Sequence, residues 1–375
     1  MCNLTKWREF QTLLSLSELF VLQVRRTVTM IGIGLLSFVG SCLLTFACLH
    51  ALLRMESRLL VGDRPTERGL HHQITPRGGG IVIVFVGVLC GVALKMFYPA
   101  STLNLGWPIG LAVVGVAGIG FWDDHFGLSI RLRLMAGLGL ASVVGLASLS
   151  DVQWNLFGNT YEWPIELVIL PAVVGLVWLM NLFNFMDGAD GVAGVQGLIG
   201  TVTLAAWFAA SNEMPLALLN IGVAGACLGF LGLNWAPARV FLGDSGSLTL
   251  GLWFGSMSLI GVTRIGVSLE AFLILLGVFV FDATFTLVRR VIHGERITQP
   301  HREHLYQRLI LSGWTHQQVA ALTAGITLMM AGIGSAVFRM PQYGLWFFLL
   351  ALVILLTYTI LVMRISAVGT PTEKP

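Results

Sequence analysis

Runs of roughly 17 to 25 apolar residues recur along this chain, near 30–53, 79–97, 106–122, 133–149, 165–182, 192–210, 216–233, 247–263, 270–288, 318–338 and 345–363. A run of that length matches the hydrocarbon thickness of a bilayer. Inside a bilayer every backbone N–H and C=O must be paired within the protein, so only helices or closed barrels can cross. The runs are continuous rather than alternating, which selects helices. Composition agrees: 56% of the 375 residues are hydrophobic and 11% are charged, against about 25% charged in a soluble domain. The expected fold is all-α and polytopic, with about eleven transmembrane helices. No linker, low-complexity tract or repeat divides residues 30–375, which read as one domain. The five cysteines, Cys2, Cys42, Cys48, Cys90 and Cys227, lie mostly in apolar runs without CxxC spacing, which suggests neither a disulfide frame nor a zinc site.

The net charge of +3 says little, because the side on which Lys and Arg fall orients a membrane protein. Loops after odd-numbered spans hold Arg54, Arg58, Arg64, Arg68 and Arg77, then Arg131 and Arg133, then Arg239, then Arg289, Arg290, Arg296, Arg302 and Arg308, and finally Arg364 and Lys374. Loops after even spans hold almost none, with Arg264 and Arg339 as exceptions. This places the odd-span loops and the C-terminus in the cytoplasm and the N-terminus outside. Lys6, Arg8, Arg25 and Arg26 violate that arrangement, so residues 1–29 read as an N-terminal extension, an interfacial helix or an upstream start before Met30.

Polar clusters gather on the predicted cytoplasmic side. Asn181-Leu182-Phe183-Asn184-Phe185-Met186-Asp187-Gly188-Ala189-Asp190-Gly191 sets two amides and two carboxylates directly behind an apolar run. Asn181, Asn184 and Asp187 are spaced to share one helix face. Asp123 and Asp124 are adjacent carboxylates that repel unless a cation or proton lies between them. Mg²⁺ with a phosphate fits that need, since Mg²⁺ favours one or two carboxylates plus substrate oxygens; an ion pair with Arg131 or Arg133 is the simpler reading. Asp63 and Arg64 through Arg68, His71 and His72 lead into Thr75-Pro76-Arg77-Gly78-Gly79-Gly80, a basic loop whose glycines can offer N–H groups to phosphate. Asn234 to Leu248 contains Phe241-Leu242-Gly243-Asp244-Ser245-Gly246-Ser247, where a tight turn can aim Asp244 at a metal and a serine can cap the next helix. His301-Arg302-Glu303-His304, followed by Arg308, suits phosphate contact better than zinc. Asp282 is placed to pair with Arg289 or Arg290 on its own helix.

Taken together and in order, Arg68 to Gly80, Asp123-Asp124, Asn181 to Gly191, Phe241 to Leu248 and His301 to His304 resemble the polyprenyl-phosphate N-acetylhexosamine-1-phosphate transferases, a family that also contains phospho-N-acetylmuramoyl-pentapeptide transferase. The resemblance covers about residues 63 to 314. It implies a bacterial inner-membrane enzyme, with its active-site loops on the cytoplasmic face, that moves a sugar-1-phosphate from a UDP-amino sugar to undecaprenyl phosphate and releases UMP. It implies Mg²⁺ dependence, with Mn²⁺ able to substitute, and membrane lipid rather than nucleic acid as partner; a homodimer is compatible with it.

Carried over position by position, Asp244 resembles the metal-holding aspartate, and Asp123 and Asp124 the pair beside the lipid phosphate and candidate metal ligands. Asn181, Asn184, Asp187, Asp190 and Asn234 resemble nucleotide-pocket residues, with Phe241 set to stack on uracil. Arg77 and Arg302 fall to substrate phosphates and sugar, and His301 and His304 to the catalytic histidine loop. The His-Arg-Glu-His-Leu-Tyr-Gln-Arg-Leu string resembles the enzymes that initiate O-antigen and enterobacterial antigen, which points to lipopolysaccharide-type synthesis and a small N-acetylhexosamine. The peptidoglycan enzyme, and a carrier without chemistry, are the alternatives. Direct attack by the lipid phosphate is expected over a phospho-aspartyl intermediate on Asp123 or Asp124.

Overall fold

The computed structural model describes the backbone of residues 2–63, 74–98, 106–149, 152–296, 299 and 301–369, and their side chains from residue 28 onward except 152, 368 and 369. Arg64, Arg68, His71, His72 and Lys374 lie outside the described residues, as do the side chains of Lys6, Arg8, Arg25 and Arg26.

Helices α1 (Cys2–Arg54), α2 (Gly80–Phe97), α3 (Gly106–Phe126), α4 (Ile130–Ser148), α5 (Ile165–Phe185), α6 (Val192–Ala210), α7 (Met214–Asn234) and α8 (Asp244–Ile265) follow the predicted apolar runs. After them come α9 (Leu269–Leu275), α10 (Gly277–Ile292), the short α11 (Leu305–Leu311), α12 (His316–Arg339) and α13 (Gly344–Gly369). Among the described residues ten helices are long and apolar enough to cross a membrane, or eleven where α9 and α10, bent by 81°, are counted as one span. The protein is thus polytopic and all-α. No break separates residues 2–29 from the first span, because α1 is one continuous helix.

Burial sorts the helices into layers. In α7, α8 and α6, 83%, 78% and 72% of the span is buried, whereas in α1 only 11% is. A helix apolar on every face can sit at the centre, while an outer helix turns one apolar face to lipid. Beneath the polar end, Phe183 of α5 stacks on Phe254 of α8 at 5.2 Å and meets Phe279 of α10 at 5.0 Å. Contacts of that kind add about 0.5–1.5 kcal/mol beyond area burial, and they lock three of the helices that carry site residues.

Two small antiparallel hairpins cap opposite ends. One pairs β3 (Val152–Leu156) with β4 (Asn159–Trp163) and is tied down by Asn155 Nδ2 donating to the Gly266 carbonyl at 2.7 Å. The other pairs β1 (Val61–Asp63) with β2 (Thr75–Arg77) and belongs to the site.

Candidate active site

The polar pocket forms where the ends of α3, α5 and α7 and the starts of α6, α8 and α12 converge. β2 docks there as a strand: the Phe241 N–H donates to the Pro76 carbonyl at 2.8 Å, and the Gly79 and Gly80 N–H groups donate to the Phe241 and Leu242 carbonyls at 2.9 and 2.8 Å. This pairing carries Arg77 to the end of α3, where its Nη2 donates to the Asp124 carbonyl at 2.7 Å and its Nε lies 3.5 Å from the Asp124 carboxylate.

Asp124, 3% exposed, caps α8 from a neighbouring helix. Its two oxygens accept from the N–H groups of Asp244 and Ser245 at 3.1 and 3.2 Å, which satisfies donors that a helix start leaves unpaired. A serine cap was expected from the sequence; the N-cap is instead Gly243, at φ 74°, which makes no side-chain cap, and a left-handed φ of this kind suits glycine. The approach of α3 to α8 requires Gly120, since a Cβ there would overlap the backbone of Asp244 and Ser245.

Arg133 ties the carboxylates together. Its Nη1 donates to Asp123 Oδ2 at 2.7 Å and to Asp244 Oδ2 at 2.9 Å. Asp123 Oδ1 accepts from the Leu128 N–H at 2.6 Å, and Asp244 Oδ1 accepts from Asn184 Nδ2 at 2.8 Å. The pairing of Asp123 with Arg133 was visible from sequence as a local option; the reach to Asp244, 111 residues away, was not.

The expected shared face of Asn181, Asn184 and Asp187 does not form, because α5 ends at Phe185 and Asp187 lies in the turn beyond it. Asn181 donates back to the Val177 carbonyl at 2.8 Å and is absent from the pocket wall. Asp190 and Asn234 line the pocket but also clamp its loops. Asp190 Oδ2 accepts from the Ala238 N–H at 3.0 Å; Asn234 accepts from the Gly191 N–H and donates to the Val240 carbonyl, both at 2.9 Å.

The resulting cavity of about 250 Å³ is lined by Asp63, Arg77, Asp124, Asn184, Asp187, Asp190, Asn234, Phe241, Asp244, Gln307 and His316, with backbone from Gly188, Ala189 and Gly243. Five aspartates therefore face one arginine. Burial, then the charges of Asp244 and Asp124, push the Asp187 carboxyl well above its ordinary range. At about 4 Å and an effective dielectric near 20, two like charges cost on the order of 4 kcal/mol, so the crowding favours a bound cation. The carboxylate and amide oxygens of the wall fit a hard divalent ion. Among the described residues no three His, Cys, Asp or Glu side chains converge into a protein-only metal cage, which leaves one or two carboxylates completed by substrate and water oxygens.

The histidine loop lies elsewhere. Asp282 does not pair with Arg289 or Arg290: it is buried and held by His304 Nδ1 at 3.2 Å and by the Leu305 N–H at 2.9 Å. It caps α11 from α10, a role its own helix could not disclose. Glu303 instead takes Arg289, Arg290 and Arg308. His301, Arg302 and His304 are not part of the pocket wall, and the His301 and His304 rings sit 4.9 Å apart. From the same loop, Gln307 and His316 do reach the wall; His316 Nδ1 lies 3.3 Å from Asp190. The sequence analysis singled out neither as a site residue: Gln307 lies within the histidine string without a role of its own, and His316 lies outside every motif.

Residues 107–262 match the model of the family described as Glycosyl transferase family 4. A decaprenyl-phosphate N-acetylglucosaminephosphotransferase of Mycolicibacterium smegmatis is 30% identical over 327 residues, 79% of this chain and 80% of that protein. The chain belongs to glycosyl transferase family 4. This transferase is also 28% identical over 343 residues to a probable undecaprenyl-phosphate N-acetylglucosaminyl 1-phosphate transferase of Bacillus subtilis, covering 90% of this chain and 94% of the relative. A phospho-N-acetylmuramoyl-pentapeptide-transferase of Thermosynechococcus vestitus is 28% identical over 316 residues, 79% and 82% of the two chains. The matched family segment holds the Asp123–Arg133–Asp244 bridge and the α5–α6 turn, whereas the histidine loop lies beyond it.

Proposed function

We propose that this transferase moves an N-acetylhexosamine-1-phosphate from a UDP-sugar to undecaprenyl phosphate, releasing UMP, at the cytoplasmic face of a bacterial inner membrane, to initiate an O-antigen-type surface polysaccharide. The observation that carries the reading is the pocket of five aspartates and Arg77 at one end of an apolar bundle, where a water-soluble diphosphate can meet a lipid phosphate. Arginine-rich loops at that end support the cytoplasmic placement.

In this reading an oxygen of the lipid phosphate attacks the phosphorus that bears the sugar, the bond from that phosphorus to the bridging oxygen breaks, and UMP leaves. Mg²⁺, when bound, would shield the diphosphate charge and polarise its oxygens. Asp244 and Asp187 are the carboxylates to hold it: both line the pocket, and the charge of Asp244 opposes ionisation of Asp187. Asp124 fixes the start of α8 and Arg133 fixes the Asp244 carboxylate, so the charges are positioned before substrate arrives. Arg77 faces the donor phosphates. Phe241, on the strand beside it, offers a face to uracil. Both oxygens of Asp123 and of Asp124 already accept hydrogen bonds, which favours direct attack over a phospho-aspartyl intermediate. Gln307 and His316 are the loop groups within reach of the sugar.

The test is UMP release by purified protein with undecaprenyl phosphate and, in turn, UDP-GlcNAc, UDP-GalNAc, deoxy N-acetyl analogues and UDP-MurNAc-pentapeptide, compared as kcat/KM. The expected result is Mg²⁺-dependent release with a small N-acetylhexosamine preferred. Preference for the muramoyl peptide would make the chain a peptidoglycan-precursor enzyme, and no release with any donor would leave a lipid or solute carrier.

A further inference from the structure

Three carboxamides line the polar pocket, those of Asn184, Asn234 and Gln307. Two are committed to the protein: Asn184 Nδ2 donates to Asp244 Oδ1 at 2.8 Å and to Ser247 Oγ at 3.2 Å, and Asn234 joins the Gly191 N–H to the Val240 carbonyl. Gln307 differs. Its Oε1 accepts from the His304 N–H at 3.2 Å and so closes the start of α11. A backbone N–H can meet only the oxygen of a carboxamide, so this bond settles which way the amide lies and turns its nitrogen to the other side. That nitrogen carries two N–H groups. One lies beside the Tyr306 hydroxyl, and the other is left to the cavity that Gln307 lines.

Tyr306 makes the placement rigid. Its side chain is buried, its hydroxyl donates to the Phe185 carbonyl at 3.0 Å, and a Cβ on Gly188 would overlap that hydroxyl. α11 is thereby wedged against the turn that carries Asp187, and Gln307 is held beside the same turn. The charged and aromatic groups of the wall serve other parts of the donor: Asp244 and Asp187 the metal, Arg77 the phosphates, Phe241 the uracil. A neutral N–H in this wall suits an uncharged acceptor, which it can meet without the cost of burying an unpaired charge. On an N-acetylated sugar the strongest uncharged acceptor is the amide carbonyl.

We infer that Gln307 reads the acetamido group of the donor sugar, its cavity-facing N–H donating to the acetamido carbonyl. The inference deepens the function proposed above and rests on it, since it takes the donor to be a UDP-N-acetylhexosamine. Gln307 then sets specificity: a sugar with a hydroxyl at that position leaves the donor poorly paired, and an unpaired polar group in a closed site is the basis of strong discrimination.

The experiment measures Kd for UDP-GlcNAc, for UDP-glucose, which has a hydroxyl in place of the acetamido group, and for UDP, with Mg²⁺ and the full chain in detergent. Gln307→Glu keeps an oxygen for the His304 N–H and loses the donor, and the charge it adds acts on all three ligands and so cancels in their ratios. The unaltered protein is expected to favour UDP-GlcNAc over UDP-glucose by about tenfold or more, the scale of one unpaired donor, and Gln307→Glu to bring that ratio to within about threefold. A ratio that Gln307→Glu leaves unchanged overturns the contact, as does an unaltered protein that binds the two sugars equally. Should the variant not fold, UDP-N-trifluoroacetylglucosamine, whose carbonyl is a poorer acceptor, tests the unaltered protein: weaker binding than UDP-GlcNAc supports the contact, and equal binding overturns it. UMP release with undecaprenyl phosphate separates the two levels. Release from UDP-GlcNAc with an unmoved ratio overturns the contact and leaves the proposed function standing, whereas a protein that binds none of the three ligands overturns both.

Discussion

Around α11 three acidic groups, Asp282, Glu295 and Glu303, meet His304, Arg289, Arg290 and Arg308, whereas the neighbouring pocket crowds five aspartates round Arg77. Both clusters lie at the same end of the bundle and both looked functional in sequence. The first is closed: burial opposes ionisation of Glu303, but Arg290 and Arg289 hold its carboxyl below the ordinary value. The second is open, and burial with like charge drives the Asp187 carboxyl upward. Where the cations outnumber the acids the charges mark scaffold, and where the acids outnumber Arg77, Arg133 and His316 the excess marks the place a ligand can complete.

That contrast is broken most directly at Asp244. Asp244→Asn removes a pocket charge and keeps one of the two acceptor oxygens that Asn184 and Arg133 use, so the fold should survive and transfer should fall by about 10²–10³-fold or more, the scale of losing a preorganised electrostatic contact. The measurements are kcat against Mg²⁺ concentration and Tm in detergent. Retained activity with an unchanged Mg²⁺ requirement would refute the assignment.

Asp282→Ala should do the reverse. It strands His304 and two N–H groups of α11, and breaking a buried pair costs about 3–5 kcal/mol. Tm should fall sharply, and activity should fall only as Gln307 is displaced from the pocket wall. A stable variant with no turnover would move Asp282 into the chemistry.

Phe241→Ala addresses the apolar wall of the pocket. Stacking on a base is worth about 1–3 kcal/mol, so KM for the UDP-sugar should rise roughly five- to 150-fold while affinity for undecaprenyl phosphate holds. An equal loss for both substrates would place Phe241 in support of the Arg77 strand alone.

How far these assignments could be read from sequence follows from the range of the interactions. The spans were legible because hydropathy is local and a bilayer imposes one length; only the 81° bend between α9 and α10 lay outside that logic. The carboxylates were legible because acids at the ends of apolar runs need a reason. What stayed hidden was long-range: Arg133 reaching Asp244, Asp124 capping a helix 120 residues on, and Pro76 to Gly80 pairing with Phe241 and Leu242 as a strand. The position of His301 and His304 off the pocket wall stayed hidden for the same reason, since two histidines three apart look alike whether they face a substrate or Asp282.

The smallest expected effect belongs to His301. Burial, then the like charges of His304 and Arg290, lowers its pKa from 6.5 to about 4. The unfolded chain therefore takes up this proton at higher pH than the folded one does, so its contribution to stability is fully present above about pH 6.5 and declines as pH falls toward 4. In wild-type protein Tm should drop across that window, and in His301→Gln the drop should be shallower, with the two curves parallel above pH 7. Because the folded imidazole stays neutral from pH 6 to 8, the kcat profile there should not change on substitution. A His301→Gln variant that loses a limb of its pH–rate profile in that range would show proton transfer at His301, and would place a loop closed by its own charges within the reacting centre.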